Sequence, residues 1–401
     1  MSQFGDIKNM ITYGASQILN LLAPFLVGIY VIPIVGLANW GIIGVATAWY
    51  VLLGILIEFG ANLVGVKEIS TFLHKKQYIK TYLNSVYTFR AYITIIITVM
   101  LLLLFWILSV DISYYFGLIW MLAWYFNPLW VYQAKQDFKA LNTTIILSKI
   151  VYLVLVYFVV KTKQDYIYVV SLLGISNAVI YGFSYYKLNV KLLSFKRAVI
   201  IFNVNKTIVL SNFAINAYTQ APVFIIDAVL GNTFSGIYKV IDLFITAFRS
   251  YLGVFFNVTF PKLCSVIASD FTKGKLYSKR MSVYNLIFLV LITSIVFIAT
   301  PYILNYFNVS QEINKGFALS RYLLFLPLII AANIPFYQML LYQNENKKVV
   351  QVSIIGLFLT LILGFTLTNY FALLGTIISL YIVELYITIS LMGYSKKYFK
   401  S

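Results

Sequence analysis

Long apolar runs alternate with short polar joints along almost the whole chain, and no stretch of mixed character is long enough for a separate soluble domain. A helix needs about 20 apolar residues to cross the hydrocarbon of a bilayer. The pattern predicts spans over residues 10–34, 41–65, 84–109, 112–134, 140–160, 166–186, 207–230, 233–259, 284–306, 317–342, 348–368 and 371–393. The fold class expected is all-α: a polytopic membrane protein of about twelve transmembrane helices, since spans in lipid must satisfy their own backbone.

The basic segment Lys187 to Lys206 divides the chain into two expected six-helix bundles, residues 1–190 and 191–401. The halves show a weak internal repeat at an offset of 195 residues. Ser16-Gln17 maps onto Ser211-Asn212, Gly36 and Gly41 onto Gly231 and Gly236, and Lys67 and Ser70 onto Lys262 and Ser265. Ala23-Pro24 and Ala221-Pro222 correspond after a slip of three. An even number of helices per half implies a parallel pseudo-repeat about an axis along the membrane normal.

Composition agrees, at 61% hydrophobic and 10% charged residues, where soluble domains run nearer half apolar and a quarter charged. The net charge of +18 would suggest nucleic acid in a soluble protein. Here, with the N-terminus placed inside, 22 of the 30 basic residues fall on inner segments and three (Lys161, Lys163, Lys315) on outer ones. That asymmetry predicts cytoplasmic termini and excludes nucleic acid as the partner. The polar stretch Met1 to Asn9 carries no cleavage pattern, so the first apolar run is expected to remain as a span. Cys264 alone allows no internal disulfide.

No phosphate-binding G-x-x-x-x-G-K-[ST] loop occurs, and one histidine (His74, in a basic loop) with one cysteine makes no zinc site. No cofactor is expected. The longest outer joint lies near Asn308 to Lys315. It offers no room for the large outer loop that lipid-linked transfer enzymes use, so a transporter is expected rather than an enzyme.

Ionisable groups deep in a span are functional candidates by default, because they cost several kcal/mol unless paired or hydrated. The eighth span carries Lys239, Asp242, Thr246 and Arg249 within an arc of about 80°. The seventh carries Asn212, Asn216, Gln220 and Asp227 within a similar arc, with Pro222 as a kink. Lys149 and Glu384 fall near the middle of the fifth and twelfth spans. A structural alternative stands beside each: a Lys239–Asp242 pair with Arg249 snorkelling, amides that glue helices together, and Glu384 as the acid that pairs with Lys149. Arg90, Arg321 and Glu58, near span ends, are read as structural. Substrate contact is thus assigned to Lys149, Lys239, Arg249, Asn212, Asn216 and Gln220, and ion coupling to Asp227, Asp242 and Glu384.

Gln17-Ile-Leu-Asn20 before Pro24, Gly36-x4-Gly41, Ile57-Glu58-Phe59-Gly60 and Val66-Lys67-Glu68-Ile69-Ser70 resemble the start of Wzx-type O-antigen flippases. These belong to the superfamily that also holds multidrug and toxic-compound extruders. The resemblance is best over residues 10–70 and extends to the rest through helix count and loop lengths. It implies a two-bundle transporter that moves an undecaprenyl-pyrophosphate-linked oligosaccharide across the bacterial inner membrane by alternating access, with ion coupling. It also implies membrane lipid, a polysaccharide polymerase and a chain-length regulator as partners. A multidrug or small-solute cation antiporter of the same architecture is the alternative. A major-facilitator transporter is disfavoured, because its Gly-x-x-x-Asp-Arg-type loop is absent from Val66 to Lys76.

Overall fold

The structure, a computed structural model, describes residues 22–305, 311–343 and 345–400. Met1 to Asn9, the start of the first expected span with Gln17 and Asn20, and part of the Asn308 to Lys315 joint lie outside the described residues. Every regular element described is a helix, as a chain in hydrocarbon requires. Among the described residues, nine helices are long and apolar enough to cross a membrane.

Contacts group Met1–Phe213 into one unit and Ala214–Ser401 into another. The first unit holds α1 (Leu22–Val35), α2 (Leu37–Glu58), a π-helical turn Ala61–Gly65, α3 (Val66–Thr71), α4 (Lys76–Leu108), α5 (Ile112–Gly117), α6 (Ile119–Phe126), α7 (Leu129–Ala134), α8 (Phe138–Val159) and α9 (Tyr166–Leu188). Helix α10 (Phe195–Leu230) begins in it and ends in the second unit. The second unit continues with α11 (Asn232–Ser269), α12 (Phe271–Asn305), α13 (Gln311–Ser320), α14 (Leu326–Tyr342) and α15 (Asn346–Lys400).

The segment expected to separate the bundles stays with the first unit because its backbone is stitched there. Lys191 N donates to Asn84 Oδ1 at 3.1 Å and Leu193 N to Thr88 Oγ1 at 2.8 Å. Further along, Asn205 Nδ2 donates to Phe59 O at 2.9 Å, satisfying a carbonyl at the end of α2. Ala198, Ile201 and Val209 of α10 bury themselves in the same core as Phe59, Tyr87 and Trp130.

Four expected spans depart from single separate helices. The first is described only from Leu22 onward. The last two form one continuous assignment, α15, folded at Ala372 (φ 49°, ψ −137°), where Thr368 Oγ1 and Thr376 Oγ1 meet at 2.7 Å across the turn. Residues 112–134 build α5, α6 and α7 instead of one helix. The last break is set by Pro128, whose ring pushes the preceding residue out of the helical region. Asn127 accordingly sits at φ −51°, ψ 110°, and its side-chain oxygen accepts from Leu129 N at 3.0 Å to start α7.

The carbonyl freed at Asn127 organises the first unit. It accepts from Arg90 Nη1 at 2.8 Å and Tyr87 Oη at 3.0 Å. Arg90, fully buried, lies against the rings of Tyr87 and Trp130 and within electrostatic range of Glu58. Arg90, read from the sequence as structural, is the buried cation that closes a broken helix.

Basic segments expected as inner loops are largely helical. Only Asp270 separates α11 from α12, and its Oδ1 accepts from Thr272 N (2.9 Å) and Lys273 N (3.1 Å), a short-side-chain N-cap.

The first matched glycine pair of the sequence repeat shares one non-helical conformation. Gly36 (φ 82°, ψ 165°) joins α1 to α2, and Gly231 (φ 84°, ψ 176°) joins α10 to α11. Each donates to the carbonyl four residues back, at 2.9 and 3.0 Å. This backbone region is open essentially to glycine alone, at about 1–3 kcal/mol for any other residue. A Cβ meets nothing within 4 Å at either site, so the requirement is conformational, not steric.

Two outcomes are expected. Gly36→Ala and Gly231→Ala each lower the melting temperature of the purified protein by an amount equivalent to about 1–3 kcal/mol, whereas Gly393→Ala, inside α15 where the added Cβ also meets nothing within 4 Å, does not lower it. Arg90→Met strands Glu58 and the Asn127 carbonyl and costs about 3–5 kcal/mol, against about 1 kcal/mol for Tyr87→Phe. Equal melting of the two variants would remove Arg90 from the role described.

Candidate functional site

The second unit contains a cavity of about 420 Å³ between α10, α11, α14 and α15. Arg249 is the charged side chain in its lining, set among Tyr218, Thr219, Asn257, Asn333, Tyr337 and Ser353. Apolar groups such as Leu252, Phe256, Ile334 and Ile387 complete the wall. Neutral hydrogen-bonding groups, aromatic faces and one cation therefore line this space.

The stripe on α11 explains how Arg249 comes to be there. Lys239 Nζ and Asp242 Oδ2 form an ion pair at 2.7 Å, with side chains only 14% and 10% exposed. Further along α11, Arg249 reaches the cavity, and Gly253 and Asn257 extend the same row at spacings of four. Thr246, expected on this buried stripe, is exposed. Behind Arg249 stands Glu384 of α15, 2% exposed and within electrostatic range of the guanidinium. Asp242 and Tyr218 also act on Arg249 electrostatically. A carboxylate buried to this degree in hydrocarbon costs several kcal/mol without a counter-charge, and Arg249 supplies one.

Of the sequence-predicted residues, Lys239, Asp242, Arg249 and Glu384 thus gather in the second unit. Asp227 does not join them: it lies in the last turn of α10 and accepts from Ser235 Oγ at 2.9 Å, tying that helix to α11. Asn216 and Gln220 are half-buried on α10, while the lining residues of that helix are Ile215, Tyr218 and Thr219. Asn216 O accepts from Thr219 Oγ1 at 2.8 Å. Asn212, also half-buried, belongs to the first unit. Lys149 is in the first unit too, half-buried on α8 between buried Ser148 and Tyr152, and forms no ion pair among the described residues. No group of three or more His, Cys, Asp or Glu among the described residues could hold a metal.

Sequence reasoning passed over Asn257, Asn333, Tyr218 and Tyr337. A signal for two of them existed. Asn257 continues the α11 spacing, and Asn333 sits two residues before Pro335 in the middle of an expected span.

Comparison with known proteins locates the architecture. Residues 7–266 match the family described as "Polysaccharide biosynthesis protein". A protein of Escherichia coli (strain K12) named "Putative O-antigen transporter" is 24% identical over 397 residues, covering 95% of this chain and 94% of that one. One of the same name from Shigella dysenteriae is 21% identical over 93% of this chain and 96% of its own. Among solved structures, an inward-facing multidrug resistance MATE family transporter of the MOP superfamily superposes with a TM-score of 0.70 at 12% identity, over 97% of both chains. The lipid II flippase MurJ in an inward closed conformation gives 0.68 at 13% identity, over 97% of this chain and 87% of that one. The fold is therefore that of MOP-superfamily transporters, and, with the match covering well over half its length, the chain belongs to the polysaccharide biosynthesis protein family.

Proposed function

We propose that this chain is a flippase of the bacterial inner membrane, which carries undecaprenyl-pyrophosphate-linked O-antigen or related polysaccharide repeat units from the inner to the outer leaflet. The cavity around Arg249 is the observation that carries this reading. A lipid-linked sugar diphosphate presents negative charge, many hydroxyls and flat apolar sugar faces. Arg249 answers the first, the amides of Asn257 and Asn333 with Thr219 and Ser353 the second, and Tyr218, Tyr337 and Phe256 the third. A small-cation antiporter would call for a carboxylate on the cavity wall, whereas the charged lining residue here is a guanidinium. The reading also draws on the O-antigen transporter name carried by the relatives.

Lys149 is the phosphate-binding cation assigned to the first unit, and Asn212, Asn216 and Gln220 remain sugar-contact residues of the proposal. Lys239 keeps a supporting role, since Asp242 already neutralises it. For ion coupling the geometry ranks the three acids. Asp227 is committed to the α10–α11 turn and Asp242 to Lys239, which leaves Glu384 beside Arg249. When the diphosphate engages Arg249, Glu384 loses its counter-charge and takes up a proton or cation; when the substrate leaves, the pair re-forms and releases it. Alternating access follows from rearrangement of the two bundles, as duplicated transporters do. The basic segments 66–83 and 187–206 face the cytoplasm on this reading, and the exported unit passes to a polymerase and chain-length regulator.

Deleting the gene is expected to abolish surface polymer while lipid-linked repeat units accumulate on the inner leaflet; normal surface polymer would refute the assignment. Complementation with Arg249→Ala is expected to lower surface polymer by about tenfold or more, the loss of one charge-assisted contact, at unchanged membrane abundance, with Arg249→Lys retaining part. Glu384→Gln should make transport in vesicles insensitive to an imposed ion gradient. If the pair is only structural, Arg249→Met with Glu384→Met restores both abundance and transport, and the coupling role falls.

A further inference from the structure

Helix α12 has 35 residues, about 52 Å at 1.5 Å per residue, against a hydrocarbon core of about 30 Å. Its first third carries Lys273, Lys275, Lys279 and Arg280, and its continuous apolar stretch begins at Leu286. The helix therefore crosses from headgroup region to acyl region within a turn or two of residue 280.

At that level a second pocket of about 400 Å³ opens between α12 and α14, apart from the cavity around Arg249. Its wall is almost entirely apolar, formed at one end by the stems of Lys275 and Lys279 with Ser278 and Ser282, and deeper along the same stripe by Val283 and Leu286. These positions recur at three and four, so one face of α12 runs from cationic to apolar in the direction a lipid runs from headgroup to tail. Pro335 and Phe336 of α14 close the apolar side. No acidic residue lines the pocket, the nearby Asp270 holds Lys273 at 3.4 Å, and Lys275 Nζ lies over the Phe271 ring, 4.8 Å from its centroid.

A separate observation points to an occupant. Ser278 is 4% exposed, lines the pocket, and its hydroxyl has no hydrogen-bond partner among the described residues. Helical serines usually return such a hydroxyl to the carbonyl one turn back, as Ser282 does to Ser278 O at 2.8 Å. An unmet buried hydroxyl is costly, and a phosphate oxygen between two lysines would meet it.

We infer that this pocket binds an anionic glycerophospholipid, its phosphate on Lys275, Lys279 and the Ser278 hydroxyl and one acyl chain along Val283, Leu286 and Phe336. Basic pockets between helices at the cytoplasmic surface suit such headgroups. A soluble phosphate would gain nothing from the apolar floor, and a zwitterionic lipid brings its own cation against the lysines. The site bears on the cavity through α14, which presents Ala331, Ala332 and Pro335 to the lipid pocket and Asn333 and Tyr337 to the cavity. Proline lacks the N–H that would bond the Ala331 carbonyl, so α14 is deformable at this point. A lipid wedged there sets the position of two cavity residues. The inference does not depend on what the chain transports.

The test is native mass spectrometry of the purified full chain with added phosphatidylglycerol, phosphatidylcholine or undecaprenyl phosphate. The wild type is expected to retain phosphatidylglycerol in preference to the other two. Lys275→Gln with Lys279→Gln is expected to weaken that binding roughly thirtyfold, from two lysines at a charged interface. Ala332→Leu, which fills the pocket from an exposed position with both lysines kept, is expected to weaken it several-fold. Phosphatidylglycerol binding unchanged in both variants would overturn the site. Displacement of phosphatidylglycerol by equimolar undecaprenyl phosphate, or equal retention of phosphatidylcholine, would overturn the ligand.

Discussion

Hydrocarbon supplies no hydrogen-bond partner, so wherever this chain departs from a helix inside the membrane, something in the protein must take up the backbone groups released. The breaks are answered one by one. At Asn127 the freed carbonyl receives Arg90 and Tyr87. At the end of α2 the Phe59 carbonyl receives the Asn205 amide from a helix 146 residues further along. The α15 fold at Ala372 is pinned by two threonine hydroxyls. The first two answers cross between helices, so satisfying the backbone there also fixes which helices are neighbours, whereas the threonines of α15 bond each other and no backbone group. That is why the segment leading into α10 belongs to the first unit and not to the second.

The same medium governs the charges. Buried cations stand with carboxylates in three places: Arg90 near Glu58, Lys239 on Asp242, and Arg249 near Glu384. The last stands at a cavity, its two groups within electrostatic range of each other but not in ion-pair contact. Lys239 and Asp242 are three residues apart on one helix and move together whatever the protein does. Arg249 and Glu384 sit on different helices, α11 and α15, so their separation can change with the packing of the second unit. A pair that can be opened is what coupling needs, and spacing along one helix cannot provide it.

Much of this was legible in sequence where a single residue type carries the requirement. Gly36 and Gly231 could be matched across the repeat because the turn they make admits glycine alone, and the structure gives them the same dihedrals to within about ten degrees. The Lys239–Asp242 pair stood in the sequence only as the structural alternative to substrate contact and ion coupling, since spacing alone does not show whether the two side chains meet. The proline at 128 announced a break, yet the consequence, a carbonyl captured by Arg90 from 37 residues earlier, could not be read because it depends on which helices pack together. For the same reason Arg90 looked peripheral. The cavity was half visible: its charged residue stood out, whereas Asn257, Asn333, Tyr218 and Tyr337 are ordinary helix-packing residues until four helices bring them to one space. Lengths misled too, since basic segments beside apolar runs read as loops although α10, α11 and α12 carry their helices straight through them.

The partial neutralisation of Arg249 bears on how a carrier of a large anionic substrate can work at all. An unopposed guanidinium in a low-dielectric cavity would hold a diphosphate strongly on both sides of the membrane, and tight binding that is equal in all states slows release without helping passage. On the proposed reading, with Glu384 behind it, Arg249 attracts the anion only by as much as the substrate outcompetes an internal carboxylate. The neutral amides and aromatic faces then supply recognition through many weak contacts, each of which water can replace on exit. A site built this way selects for charge and sugar character while keeping the net free energy of binding small. On the proposed reading, that balance is the physical reason for placing one cation, with a buried acid at its back, in an otherwise uncharged wall.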